Sequence, residues 1–170
     1  MLDVACGFGR HLRWFCQQNH PVVGVDAAQE AIDFIASLGL DRVELLQADL
    51  EAGPWPWQPQ SERQFGAVVV TNYLWRPLWP ALLGSLQPGG VLLYETFAQG
   101  QQTLGGPANP DFLLRPGELL QACVGLRVVA FEDGFEDAHG QRPARFVQRI
   151  AAVHAAAGAA PLSGPLRYCL

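Results

Sequence analysis

The sequence predicts an α/β domain, an open and mostly parallel sheet with helices on both faces. Three observations predict it. Short apolar runs alternate with helix-like segments along most of the 170 residues. One run, "FGAVVVTN" (residues 65–72), has no polar interruption before its end, as expected for a central parallel strand covered on both faces. The first five runs all end in polar side chains, where an open α/β sheet carries its ligand.

Taken in order, "LDVA" (2–5) is a strand that runs into the turn Cys6-Gly7-Phe8-Gly9, and "RHLRWFCQQN" (10–19) follows with helical character. "PVVGVD" (21–26) is the second strand and closes on Asp26. "AQEAIDFIASLG" (28–39) has helical spacing, with Ala31, Ile32, Ile35 and Leu38 on one side and Gly39 as its stop. "RVELLQAD" (42–49) is the third strand, and "LEAGPWPWQPQSERQ" (50–64) is a proline-rich connection. After the fourth strand, "RPLWPALLGSLQPGG" (76–90) reads as a short helix with Pro77 in its first turn and a Pro-Gly-Gly stop. "VLLYETF" (91–97) is the fifth strand, "AQGQQTLGGPANPDFLL" (98–114) a loop, and "RPGELLQAC" (115–123) a helix opening at Pro116. "LRVVAFEDGF" (126–135) and "ARFVQRIAAVHA" (144–155) flank a polar loop and predict an antiparallel hairpin. The domain is therefore expected over residues 1–155, with a loose tail over 156–170, and neither a repeat nor a second domain is seen.

Composition narrows the function. The chain is 49% hydrophobic and 16% charged, enough for a sizeable core but low in charge for a free surface. A partner, a second copy in a homo-oligomer, or further chain would cover the excess. The net charge of −5 and the lack of a basic run argue against nucleic acid as partner. They argue against anionic membrane surfaces too, and neither a spanning segment nor a signal peptide is present. The scattered cysteines Cys6, Cys16, Cys123 and Cys169 lack metal-ligand or disulfide-framework spacing and read as reduced thiols of a cytoplasmic protein. No metal site is expected.

The strand ends carry the chemistry. Small residues at Ala5, Gly7 and Gly9 allow a sharp turn and close backbone approach to a ligand. The helix after it offers free N–H groups at Arg10 and beyond. Asp26 stands 19 residues after Gly7, close to the ~20 expected of an acid that holds ribose hydroxyls. The same aspartate also suits a helix N-cap. Asp49 can accept from an adenine amino group, and the backbone N–H of Leu50 can serve a ring nitrogen. A nucleoside ligand follows. A dinucleotide turn wants a third glycine, and that position is Leu12, so a nicotinamide cofactor is disfavoured.

The alternative pattern, acid-x-small-x-Gly-x-Gly, is met by Asp3, Ala5, Gly7 and Gly9. With "VVGVD", "QADLE", "GAVVVTNYL" and "LQPGGVLLYETF" in order, the chain resembles the class I S-adenosylmethionine-dependent methyltransferases from Met1 to about residue 155. On "NPDFLLRPGELL" and "GQRPARF" the second half is similar to small-molecule members of the tellurite-resistance and thiopurine type. The resemblance implies a Rossmann-like sheet of order 3-2-1-4-5-7-6 with strand 7 antiparallel, and S-adenosylmethionine as cofactor. It implies that Asp3 and the turn Ala5 to Gly9 hold the methionine end. Asp26 with Ala27 would hold the ribose and Asp49 with Leu50 the adenine, while Asn72 offers its backbone near the amino group. A small-molecule acceptor would be methylated by in-line displacement. A non-catalytic S-adenosylmethionine-binding protein or a partner-dependent subunit is the alternative.

Tyr73, Trp75, Arg76 and Phe97 are the residues expected at the acceptor. Glu95, closing a buried strand, is the candidate base where the acceptor keeps its proton. His139 and Arg145 lie on the same side, although His139 suits a solvated loop and Arg145 a pair with Glu132 or Asp137. Trp79 suits packing. Trp55 and Trp57 either cover the adenine or plug the core edge. The family usually carries helices ahead of the first strand, whereas Met1 stands inside it. A start assigned too late or a fragment is favoured over a lidless protein, with weakened cofactor binding as the consequence.

Overall fold

The computed structural model describes residues 1–57 and 63–155. The tail read at 156–170, with Cys169, lies outside the described residues. Among the described residues seven strands and four helices succeed one another as β1 (Leu2–Val4), α1 (Arg10–Gln17), β2 (Val22–Asp26), α2 (Gln29–Ser37), β3 (Val43–Gln47), β4 (Phe65–Thr71), α3 (Trp79–Gly84), β5 (Leu86–Phe97), α4 (Glu118–Ala122), β6 (Arg127–Glu136) and β7 (Arg145–Val153). The sheet order is β3-β2-β1-β4-β5-β7-β6. β1 to β5 run parallel, and β7 is antiparallel to both β5 and β6. This is the Rossmann-like order that the resemblance implied.

Period-two alternation builds a core on each face. Leu2 and Val4 point to one face, where Val23, Val25, Val68, Val70 and Leu92 pack under Leu82 of α3 and Leu119 of α4. Val22 points to the other face and packs with Leu12 of α1 and Ile35 of α2. Gly24 makes this second contact possible, since a Cβ there would stand 2.6 Å from Leu12 Cδ1.

Element limits differ from the expectation in three places. β5 begins at Leu86, so the Pro-Gly-Gly stretch lies inside a strand and does not merely end a helix. Leu86 is fully buried and pairs with Phe65, and the register then jumps to Ala67 opposite Val91, leaving 87–90 as a bulge. Gly89 takes φ +81°, and at Gly90 a Cβ would meet the Gln87 and Phe65 carbonyl oxygens at 2.8 and 2.9 Å. The loop 98–114 contains two short 3-10 turns, Gln101–Thr103 and Pro110–Phe112. α2 ends at Ser37, which leaves Leu38 on the surface rather than on the core side.

Leu12 is fully buried at the meeting point of β2, α1 and α2. Leu12→Ala is expected to lower the unfolding free energy by about 2–5 kcal/mol, the range for deleting a core leucine. The shift of the urea midpoint at unchanged slope measures it.

Candidate functional site

The carboxyl ends of β1 to β5 converge on two cavities, with the glycine turn between them. Ala5, Gly7 and Gly9 all take left-handed backbone conformations, with φ of 50°, 51° and 75°. Asp26 fastens that turn. One of its oxygens accepts the Gly7 N–H at 2.8 Å, and the other accepts the Ala28 N–H at 2.9 Å, at the entry to α2. The N-cap of α2 is Ala28, so Asp26 does not take the N-cap role read for it and instead closes the turn just before that helix. Asp26 also lines the smaller cavity, a cleft of about 150 Å³.

That cleft brings together Ala5, Asp26, Ala27, Asp49, Leu50 and Tyr73. Four of these, Asp26, Ala27, Asp49 and Leu50, are the residues expected around a nucleoside, and Ala5 was expected at the methionine end. Asp49 Oδ1 accepts the Glu51 and Ala52 N–H groups at 2.9 and 3.1 Å, which sets the turn after β3. Tyr73 was expected on the acceptor side and lines this cleft instead. Its hydroxyl is buried, with no hydrogen-bond partner among the described residues. Burial, then the carboxylates of Glu51 and Asp49, push the phenol far above its ordinary range, so it stays protonated.

Asp3 sits beneath the turn and is almost fully buried. Its Oδ2 accepts the Leu12 N–H at 3.1 Å. Burial raises the carboxyl to about 7, against the Leu12 hydrogen bond and the charge of Arg10, which lower it. Burial and the charges of Asp3 and Asp26 push the Cys6 thiol to about 12, so it is no nucleophile at neutral pH.

The larger cavity measures about 730 Å³ and opens beyond β4, β5 and β7. Phe97, expected at the acceptor, lines it, and so does Asn72, which was expected to offer its backbone near the cofactor's amino group. Asn72 takes φ +54°, and its N–H is spent on the Glu95 carbonyl at 2.9 Å. Glu95 also faces the cavity, but its two oxygens are committed. Oε1 accepts from Arg145 at 2.7 Å and Oε2 accepts from Arg149. Burial alone would raise this carboxyl, but the Arg149 and Arg145 guanidinium groups outweigh it and hold the group below its ordinary range. That corrects the expectation of a general base, since a proton acceptor at neutral pH needs a higher affinity for the proton.

Arg145 pairs with Glu95 and Glu136, and with neither Glu132 nor Asp137. His139 is exposed on the hairpin loop and is not part of this cavity's wall. Arg76 is a second correction. Its guanidinium donates to both Glu118 oxygens and to the carbonyls of Asp111 and Leu113, so it ties the turn after β4 to the α4 entry. Trp75 packs against the main core. Trp79 stacks on Tyr94 at 5.1 Å, and Trp57 is buried edge-on to Phe65 at 5.5 Å. Trp57 therefore plugs the core edge.

Several wall residues were not anticipated. His11 faces the cavity from the first turn of α1, with Nδ1 3.4 Å from Thr71 Oγ1. Burial lowers its pKa, so the imidazole is neutral at pH 7. Arg10 stands beside it, and Arg142 and Arg149 come from the hairpin. The dipeptide Arg10-His11 directly after a glycine turn was the available signal, as was the four-residue spacing of Arg145 and Arg149 on one strand face. Among the described residues no group of His, Cys, Asp and Glu suits a metal ion, and no helix is long and apolar enough to cross a membrane.

Comparison with known proteins bears on this geometry. A family profile described as "Methyltransferase domain" matches residues 1–90. No curated protein matches the sequence. TehB from Haemophilus influenzae is structurally similar, with TM-score 0.70 and 15% identity over 89% of this chain and 57% of that one. The present chain thus spans little more than half of that protein's length. An S-adenosylmethionine-dependent methyltransferase from Mesorhizobium loti has TM-score 0.68 and 19% identity, over 89% of each chain. The glycopeptide N-methyltransferase MtfA, solved with S-adenosylmethionine, has TM-score 0.61 and 19% identity, over 89% of this chain and 80% of that one. Identities this low establish a shared fold.

The ion pairs at Glu95 have a measurable consequence. A carboxyl held below its ordinary value contributes stability above the unfolded value, 4.5, and loses it as pH falls through the folded value. Glu95→Gln is expected to cost about 1–3 kcal/mol at pH 7, by leaving two guanidinium groups short of a partner. The wild type should lose stability more steeply than the variant as pH falls below about 5. Equal slopes in urea unfolding at pH 4 to 7 would exclude an ionised Glu95 as the support.

Proposed function

The chain belongs to the methyltransferase domain family, and we propose that it transfers a methyl group from S-adenosylmethionine to a small-molecule acceptor by in-line displacement. The observation that carries this reading is the cleft shared by Ala5, Asp26, Ala27, Asp49 and Leu50 beside a left-handed glycine turn. Those groups fit the cofactor. Asp3 is a buried carboxylate in no ion pair among the described residues, with Oδ2 alone engaged, which suits an ammonium group. Asp26 and Asp49 offer carboxylates to hydroxyl and amino donors, and the Leu50 N–H follows directly. The solved relatives that are named for S-adenosylmethionine support the same cofactor.

When bound, the sulfonium supplies an electrophilic methyl group whose leaving group departs as a neutral thioether. The chain therefore needs no acid there, and its residues contribute mainly by position, a factor worth up to roughly 7–11 kcal/mol in ideal cases. Asn72 and Phe97 shape the wall toward the acceptor. His11 is the neutral group in that wall able to take a proton from an acceptor that keeps one at attack. Arg145 and Arg149 fix Glu95 as part of the wall.

Calorimetric titration tests the cofactor. S-adenosylmethionine and S-adenosylhomocysteine should bind with affinity in the micromolar range (about −8 kcal/mol) and NAD should not. Asp26→Ala should weaken binding at least about tenfold in a protein that keeps its far-ultraviolet spectrum. A folded wild type that binds NAD, or neither sulfur compound, would overturn the reading. Acceptor screening with methyl-labelled cofactor then tests the transfer itself.

The pH dependence carries a sign. A cationic amino group favours the ionised form of Asp3, which is raised to about 7. Cofactor affinity should therefore fall as pH drops from 8 to 6, and Asp3→Asn should flatten that profile while lowering the affinity at pH 8.

A further inference from the structure

We propose that the larger cavity recognises its acceptor through a compact anionic group, a carboxylate or a phosphate-like oxyanion, with Arg142 as the recognising residue. The inference rests on the acceptor site proposed above and names the class of acceptor it takes.

The sign of the cavity is opposite to that of the chain. The protein carries a net charge of −5. The wall of this cavity nevertheless gathers Arg10, Arg142, Arg145 and Arg149 against only Glu95 and Glu136. A cleft lined by one sign of charge concentrates ligands of the other.

The four cations are not equivalent. Arg145 is held by Glu95 and Glu136. Arg149 is held by Glu95, Glu132 and Glu136. Arg149 has all three guanidinium nitrogens engaged within the protein, and Arg145 two of its three. Gln101 is spent as well, donating to the Gly106 carbonyl and accepting the Phe146 N–H, both at 2.9 Å. Arg10 and Arg142 make no ion pair with any described residue, and both side chains are exposed at the cavity.

Position separates these two. Arg10 opens α1, next to the glycine turn, and acts on Asp3 through its charge. It lines the larger cavity from beside the turn read as holding the methionine end. Arg142 stands on the hairpin loop, where its N–H and carbonyl pair with those of His139 at 3.0 Å in both directions. That bridge and Pro143 after it set the backbone from which the side chain meets the cavity. A guanidinium with a free fork matches a carboxylate or phosphate in two parallel hydrogen bonds, which a hydroxyl or an amine cannot offer.

Four probes that share a benzene ring and differ in charge test this. Benzoate, phenyl phosphate, benzyl alcohol and benzylamine are titrated by calorimetry into the full chain, once free and once saturated with S-adenosylhomocysteine. At least one anion should bind about tenfold or more tighter than benzyl alcohol, and benzylamine should bind weakest. Whichever of benzoate and phenyl phosphate binds tighter identifies the anionic group. Arg142→Gln should remove about fivefold or more of the anion affinity without changing that for S-adenosylhomocysteine, a readout that loss of fold would move. Equal affinity for benzoate, phenyl phosphate and benzyl alcohol overturns the proposal, as does an anion preference that survives Arg142→Gln. An anion preference in a chain that binds no S-adenosylhomocysteine would sink the cofactor reading and leave this one standing. Tight S-adenosylhomocysteine binding with no anion preference would do the reverse.

Discussion

The arrangement depends on a carboxylate buried in the middle of the shortest central strand. β1 has three residues, and Asp3 is the middle one. Its neighbours Leu2 and Val4 go into the main core, so period-two geometry forces Asp3 onto the face where α1 begins. A lone buried charge is costly, and the Leu12 N–H and the raised pKa offset that cost. The bond to Leu12 places the first turn of α1 relative to the sheet. That turn carries Arg10 and His11 to the wall of the larger cavity. Asp26 does the equivalent work one strand over, clasping Gly7 and Ala28 at once. Two carboxylates thus hold the turn that divides the cavities, and any ligand at that turn meets groups already under electrostatic constraint.

The far wall is built by pairing rather than by a turn. Glu95 faces Arg149 across the β5–β7 register, and Arg149 faces Glu132 across β7–β6. Arg145 faces Glu136 in the same ladder and reaches Glu95 besides. Cross-strand ion pairs of this kind follow from register alone, because residues opposite one another on one face lie within side-chain reach. The ladder makes the edge of the cavity stiff and nearly neutral. Its consequence for chemistry is negative for Glu95 as a base and positive for the cavity as a shaped recess, since the charged groups there do not need solvent to satisfy them.

Much of this was legible in the sequence because it is local. Strand periodicity, the glycine turn and the acids in or just after β1, β2 and β3 are short-range signals, and with the resemblance they led to the sheet order and to four of the residues that line the smaller cleft. What escaped was set by distant partners. Glu95 reads as a free strand-end acid because its arginines lie 50 and 54 positions away. Arg76 reads as an available cation because Glu118 is 42 positions on. Tyr73 follows Asn72, whose left-handed backbone sends successive side chains to different cavities. The Pro-Gly-Gly stretch reads locally as a break. Only the burial of Leu86 against Phe65 shows that the strand has already begun before it.

A wall of charged groups is therefore informative only once the internal pairs are subtracted. Counted from composition, the second half of the chain offers arginines and glutamates without order. Counted after pairing, the ladder absorbs Glu95, Glu132 and Glu136 together with Arg145 and Arg149. The turn absorbs Asp26, and the α4 entry absorbs Arg76 and Glu118. The groups left over are Asp3, buried under the turn, and Arg10 and Arg142 at the larger recess. A zwitterionic methyl donor with an ammonium group, and an acceptor bearing an anion, are the pair of ligands that these leftover charges would complete. The same subtraction explains how an acidic chain presents a cationic recess, because most of its acids are spent within the protein or lie on other faces.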